Sequence, residues 1–208
     1  MGKPSLTLLQ KGKTILNPYN PRFHRARASR YYPQCHVRFR PAVTSISVYL
    51  YKAMTQTPYR IIPLAQDIAN AARWSRVDQF GNRLAVLYDG EAHQCRVCLQ
   101  LSKPDEGVIL MAHRPFASRQ PYAETGPIFI HERACVPYGE GNRYPAEFPH
   151  HAVMLRAYND EDAIIGAEMV GEREVERVIV ELFENQEIAY LHARNLAYGC
   201  FMFAIARA

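Results

Sequence analysis

The stretch AVMLRAYNDEDAIIGAEMV, residues 152–170, decides the fold class. Two apolar runs, residues 152–159 and 163–170, flank the short acidic turn NDEDA. Apolar runs of this length joined by a short polar turn are typical of an antiparallel β-hairpin. No helical pattern separates the two runs, as a doubly wound parallel sheet would require. This segment therefore predicts a sheet built mainly from antiparallel strands.

The pattern continues on both sides of the hairpin, which brings the total to about nine short strands. The other strand-like runs are YRIIPL, LAVLYDG, QCRVCLQLS, GVILMAHR, PIFIH, IAYLHAR and CFMFAIAR, and the second, third and fourth of these are predicted to be neighbours. Helical periodicity appears in AQDIANAARW and EREVERVIVELFEN, and the second helix gathers an apolar face from Val175, Val178, Ile179, Leu182 and Phe183. The prediction is an α+β fold in which residues 54–208 form a single domain.

Residues 1–53 differ in charge from the rest of the chain. They hold ten of the 25 Lys and Arg residues and no Asp or Glu, whereas residues 54–208 carry 15 basic and 20 acidic residues. The segment is rich in Arg, Pro and Tyr without periodicity, so we expect a basic, poorly ordered extension. We favour an upstream reading-frame extension, with translation starting at Met54. The alternatives are a transit peptide, or an arm that binds nucleic acid through Arg22, Arg25, Arg27, Arg30, Arg38 and Arg40, with Phe23, Tyr31, Tyr32 and Phe39 stacking on bases.

Five cysteines in a chain of this length do not form the dense, even set of a small secreted domain. We therefore expect reduced cysteines and a cytoplasmic protein. The longest uncharged stretch, residues 41–51, is about half the length that spans a bilayer, so no membrane partner is expected.

HQCRVC, residues 93–98, places a histidine and two cysteines at spacings that metal sites use. If this run is a strand, Cys95 and Cys98 point to opposite faces. Chelation by both needs a turn instead, and the run has no Gly or Pro to make one. HERAC, residues 131–135, adds a His and Cys pair at a spacing that suits a helical turn.

The candidate metal ligands, with zinc as the ion, are Cys95, Cys98, His131 and Cys135, and His93 or Cys200 would be substitutes. The alternative is that the cysteines are buried thiols that pack as small hydrophobic groups. A minor alternative is a reactive Cys95 thiol beside Arg96, which is also a candidate ligand-binding residue.

A proline-rich stretch between two predicted strands concentrates polar groups. Its candidate ligand-binding residues are Arg114, Arg119 and Tyr122, and its candidate acid–base pair is Glu124 with His131. Thr125 lies beside Glu124, and the alternative is that both residues merely shape the turn before Gly126.

The closing strand YLHAR places Tyr190, His192 and Arg194 on one face. We predict His192 as a proton-transfer group and Arg194 as an anion anchor. The alternative is an exposed sheet face, on which the same alternation is harmless.

The segments CRVCL, HRPF, QPYAETGPIFIHERAC, YLHARN and GCF occur in this order. In these segments the chain resembles the bacterial domain of unknown function 1203 family, over about residues 59–207 and excluding residues 1–53. The sequence departs from that pattern after Cys200, where a second cysteine is missing. The resemblance implies no established activity.

Two functional hypotheses follow. The first is a domain that binds a small anionic molecule, or binds and transforms it. Its pocket would be lined by Arg114, Glu124, His131, His192 and Arg194. The second is a noncatalytic, zinc-stabilised interaction module that uses the four candidate metal ligands. Nucleic acid is expected as a partner only through residues 1–53.

Overall fold

A computed structural model describes residues 59–139, 141–145, 152–171 and 174–208, together with the backbone of residues 37–38. All of these lie within one compact unit, residues 34–208. The predictions made for the other residues of 1–53, and for a start at Met54, fall outside the described residues. Among the described residues, no helix is both long and apolar enough to cross a membrane.

The described residues form nine strands and two helices, so the predicted α+β class is confirmed. The helices are α1 (Gln66–Ser75) and α2 (Val175–Leu182). The strands are β1 (Val37–Arg38), β2 (Tyr59–Ile62), β3 (Val86–Leu87), β4 (Val108–His113), β5 (Gly126–His131), β6 (Val153–Tyr158), β7 (Ile164–Val170), β8 (Tyr190–Asn195) and β9 (Phe201–Arg207).

The larger sheet has six strands in the order β1-β7-β6-β8-β9-β2. All of its pairings are antiparallel except that of β1 with β7. The predicted hairpin is its β6–β7 pair. In the pairing of β6 with β8, Arg156 lies opposite His192 and Leu155 lies opposite Ala193. Because side chains alternate along a strand, the apolar and the polar members of these pairs face opposite sides of the sheet.

Helix α2 covers the apolar side of this sheet. Its Val178 and Ile179 are buried in the same core as Leu155, Leu191 and Phe203, among others. The predicted apolar face of the helix is confirmed, since Val175 and Phe183 are buried there too and Leu182 packs against it.

The smaller sheet has three strands in the order β3-β4-β5, with antiparallel pairing throughout. A second core lies beside it and includes Ala69 and Ala72 of α1, Ile109, Ile128, and the side chains of Cys95 and Cys98. The predicted set of three neighbouring strands is therefore wrong in one member. QCRVCLQLS is not a strand, and β4 pairs with β3 and β5.

Candidate functional site

The prediction of a strand over QCRVCLQLS, residues 94–102, is wrong, because the middle of this segment is a turn. Residues 96–98 form a hydrogen-bonded turn in which the Leu99 amide donates to the Cys95 carbonyl at 2.9 Å. Leu99 takes a left-handed backbone conformation, with φ of 59°. A leucine therefore adopts the conformation for which we expected a glycine. The turn brings Cys95 and Cys98 to the same side of the chain, which a strand would not.

The backbone of the turn is attached to the smaller sheet and to the segment between β2 and α1. The Arg96 amide donates to the carbonyl of Phe129 in β5 at 2.9 Å, and the Leu64 amide donates to the Arg96 carbonyl at 2.8 Å. These bonds hold the two cysteines against the end of β5, where His131 is the last residue.

Cys135 arrives from the segment that follows β5. The expected helical turn in HERAC is absent, because residues 132–133 form a bend and no helix follows. The bend carries the Cys135 thiol back to the thiol of Cys95, and the two Sγ atoms are 3.7 Å apart.

Cys95, Cys98, His131 and Cys135 place one ligand atom each within 4.8 Å of one another. The Cys98 Sγ atom lies 3.6 Å from His131 Nδ1. Zinc bonds of about 2.3 Å to sulfur and about 2.0 Å to nitrogen, at tetrahedral angles, put ligand atoms about 3.5 to 3.8 Å apart. The distances of 3.7 Å between the Cys95 and Cys135 sulfurs and 3.6 Å between Cys98 Sγ and His131 Nδ1 match this spacing. Within the described residues no other group of His, Cys, Asp and Glu side chains comes together in this way.

Groups around the four side chains are placed as they would be around thiolate and imidazole ligands. The His131 amide donates to Cys95 Sγ at 3.4 Å, and the Arg73 guanidinium of α1 donates to Cys135 Sγ at 3.8 Å. The His131 Nε2 atom, which faces away from the thiols, lies 3.8 Å from a carboxylate oxygen of Glu106. A carboxylate behind a ligating histidine orients the ring and fixes which nitrogen binds the ion.

The thiols and His131 shift one another's pKa values through hydrogen bonds. Hydrogen bonds from the thiols of Cys135 and Cys98 lower the pKa of Cys95, whereas the same kind of contact with Cys135 and Cys95 raises the pKa of Cys98. Hydrogen bonds with Cys135 and Cys95 also raise the pKa of His131, to about 10. These directions favour a thiolate at Cys95 beside a protonated His131, and a metal ion that binds the group would displace the remaining protons.

The two substitute ligands and Arg96 have other partners. The His93 ring stacks on Phe129 and its Nε2 atom lies 2.9 Å from an Asp89 carboxylate oxygen. The Cys200 thiol contacts the Tyr198 carbonyl. The buried Arg96 guanidinium donates to the carbonyls of Phe201 and Gln94, both at 2.6 Å, and so braces the turn.

The proposed acid–base pair is divided between the two ends of β5. Glu124 precedes the strand and His131 ends it, and six residues of strand span about 20 Å. Arg119 and Tyr122 are exposed. Arg114 lines a cavity of about 370 Å³ together with His113, Phe116 and other residues, and this cavity lies beside β2 and β9.

Glu124 meets the polar face of the larger sheet. One of its carboxylate oxygens accepts a hydrogen bond from Arg156 Nη1 at 2.7 Å and forms an ion pair with Arg194 Nη2. His192 and Arg194 are both buried, so the alternative of an exposed sheet face is wrong. Burial, with the neighbouring charges of Arg194 and Arg156, lowers the pKa of His192 to about 3, so this ring is neutral near pH 7.

Residues 92–207 match the family described as Protein of unknown function (DUF1203). The match covers more than half of the chain and includes every residue of the CRVC turn, β5, β6 and β8. The chain belongs to the DUF1203 family. No match was found among the curated proteins or among the solved structures.

Arg156, Arg73 and Glu106 contact the candidate site residues and were not predicted. A signal for Arg156 existed, because it interrupts the apolar strand VMLRAY and alternates with buried Leu155 and Ala157. Arg73 carries no such signal, since a basic residue near the end of a helix is common for electrostatic reasons alone.

Proposed function

We propose that this DUF1203 protein is a metal-stabilised domain in which Cys95, Cys98, His131 and Cys135 bind one zinc ion. The observation that carries the proposal is the convergence of the four ligand atoms within 4.8 Å. Three thiolates and one imidazole form a donor set that favours zinc, since soft sulfur ligands in a tetrahedron suit this ion.

The ligand count supports a structural role for the ion rather than a catalytic one. Catalytic zinc sites keep an open position for water or substrate, whereas four protein ligands close the coordination sphere. Cys95 is fully buried and Cys98 is nearly so, which leaves little access from solvent. The ion would tie the CRVC turn to the two ends of the bend after β5.

The charges near the site are consistent with this role. A zinc ion with three thiolates and a neutral histidine has a net charge of −1, and the Arg73 guanidinium lies next to the Cys135 sulfur. Arg73 also donates to the His131 carbonyl at 3.0 Å, so one residue of α1 contacts two of the four ligand residues. Such contacts stabilise a thiolate without binding the metal.

The test is the metal content of the full-length protein, purified without added metal and measured by elemental analysis. We expect about one zinc ion per chain, and we expect Cys95→Ser and Cys135→Ser each to lose most of it because a tetrahedral site needs all four ligands. Cys200→Ser is the matched control, since this thiol lies outside the group, and it should keep its zinc.

Replacing zinc with cobalt gives a second readout. A site with three thiolates should show thiolate-to-cobalt charge-transfer absorption and the ligand-field bands of a tetrahedral ion. If the protein takes up neither zinc nor cobalt, and its thiols react only on unfolding whether or not a chelator is present, the four residues are a packed thiol group and the proposal is wrong.

The hypothesis of a small anionic ligand now rests on only part of the predicted set of residues. His131 lies with the cysteines, and Arg96 binds backbone carbonyls. Glu124, His192 and Arg194 remain together on the polar face of the larger sheet.

A further inference from the structure

Two arginines on neighbouring strands of the larger sheet share a single carboxylate. Arg156 projects from β6 and Arg194 from β8, on the side of the sheet opposite to α2. Both contact the same oxygen of Glu124, which lies in the segment between β4 and β5. We call Arg156 and Arg194 the arginine pair.

The charges of this group do not balance. The arginine pair contributes two positive charges and Glu124 contributes one negative charge. His192, next to the pair, is neutral near pH 7 because burial lowers its pKa to about 3. The Glu124 side chain is 42% exposed, whereas that of Arg194 is 3% exposed. A guanidinium taken out of water needs close compensation, since burying an unpaired charge is strongly unfavourable.

Hydrogen-bonding capacity also remains in the buried part of the group. Arg194 Nη1 donates to the Gly199 carbonyl at 3.1 Å, but the buried Nε atom of Arg194 has no hydrogen-bond partner. The buried Nδ1 atom of His192 has none either. The neutral His192 ring can donate or accept at this atom, and the buried Tyr158 hydroxyl interacts with both arginines. Buried donors in native proteins are nearly always paired, so the Arg194 Nε atom leaves a place for a further acceptor.

The segment that carries Glu124 is held by contacts that do not involve the arginine pair. Phe116 packs on the His192 ring with centroids 5.0 Å apart, and Ser118 donates to the Asp162 carboxylate. Glu124 can therefore leave the arginine pair while these two attachments hold the rest of the segment in place.

We propose that the arginine pair is a binding site for a small oxyanion, a carboxylate or a phosphate group, and that Glu124 occupies it in the absence of the ligand. The ligand exchanges with the Glu124 carboxylate, which is exposed enough to be rehydrated when it leaves. A planar guanidinium pair suits both classes of oxyanion, since each offers two or more oxygens for bidentate hydrogen bonds.

The test compares binding of acetate and of inorganic phosphate to the full-length protein by calorimetric titration at constant ionic strength and pH 7.5. Glu124→Gln removes the internal competitor and should bind at least one probe roughly tenfold more tightly than the wild type, as expected for a lost charged hydrogen bond. Adding Arg156→Gln to that variant should abolish the gain.

The matched control is Glu174→Gln, because Glu174 is also a partly exposed carboxylate paired with an arginine, Arg177, but on α2. It should bind both probes as the wild type does. Far-ultraviolet circular dichroism and the unfolding temperature check that each variant folds. If Glu124→Gln lowers the unfolding temperature in a chloride buffer, adding the probe that it binds should raise that temperature again.

Tighter binding of acetate assigns the site to carboxylates, and tighter binding of phosphate assigns it to phosphoryl groups. If Glu124→Gln binds neither probe, or binds both probes no more tightly than the wild type does, the proposal is overturned. The proposal is also overturned if the Glu124→Gln, Arg156→Gln double variant binds the probe as tightly as Glu124→Gln does.

Discussion

Leu99 shows at the scale of one residue how the metal-binding turn is made. Its φ of 59° costs an L-amino acid about 1 to 2 kcal/mol. The side chain is 1% exposed and belongs to the core of the larger sheet. Burial of a leucine side chain stabilises the fold by about 1.5 to 3 kcal/mol, which offsets that cost. A hydrophobic anchor thus holds a backbone conformation for which glycine is the usual residue.

This balance predicts that glycine is more stable than alanine at position 99, which reverses the usual order. Leu99→Ala and Leu99→Gly both lose the buried side chain, at a cost of about 2 to 5 kcal/mol. Only the glycine relieves the left-handed strain, so Leu99→Gly should be more stable than Leu99→Ala by about 1 kcal/mol in urea unfolding. The same comparison at Ile109, in strand β4, is the control, and alanine should be the more stable there. Equal or reversed stabilities at position 99 would contradict the argument.

At the scale of an element, helix α1 connects its buried face to the metal-binding group. Ala69 and Ala72 pack in the core beside the smaller sheet. The next residue, Arg73, points its guanidinium at the His131 carbonyl and the Cys135 sulfur. Docking of the helix therefore sets the position of this guanidinium, and a shift of the helix would move it off the sulfur.

We expect Arg73→Met to weaken zinc binding by about 10 to 100 fold, the usual effect of losing a group that supports a metal ligand. Methionine keeps much of the apolar stem, so the helix should stay docked. Competition with a chromophoric chelator measures the change in affinity. Arg76→Met is the control, since Arg76 pairs with the partly buried Glu132 instead, and it should retain the affinity of the wild type. Equal affinities for the two variants would exclude the proposed role of Arg73.

For the whole molecule, the two cores differ in their relation to the candidate metal. The core between α2 and the larger sheet contains Leu155, Leu191 and Phe203 and none of the four ligand residues. The core beside the smaller sheet contains Cys95 and Cys98, and Cys135 packs against it. Removal of a metal ion should therefore act on one side of the domain.

Hydrogen exchange with and without a chelator tests this expectation. Chelation should speed exchange of the amides of Arg96, Leu99 and His131, because their hydrogen bonds depend on the turn and on the end of β5. Amides in the paired strands β6 and β8 should keep their protection. A uniform loss of protection would show that the domain unfolds as one unit, and an unchanged pattern would show that no metal supports it.

Hydrophobic periodicity was sufficient to predict much of this fold. The hairpin of residues 152–170, both helices and the closing strands formed where their patterns indicated. The type and the buried face of each of these elements follow from the spacing of apolar residues within its own sequence. The failure at residues 94–102 has the opposite origin, because the turn there is held by Phe129, Leu64 and the core around Leu99, all distant in sequence.

The sequence by itself determined the α+β class, the family and the residue types that can bind a metal or an anion. The tertiary structure alone decided that the CRVC turn meets the end of β5, that Glu124 and His131 lie at opposite ends of that strand, and that Arg156 joins Arg194. The physical reason is that ligand geometry depends on strand register and on long-range backbone hydrogen bonds, which leave no periodic signature in the chain.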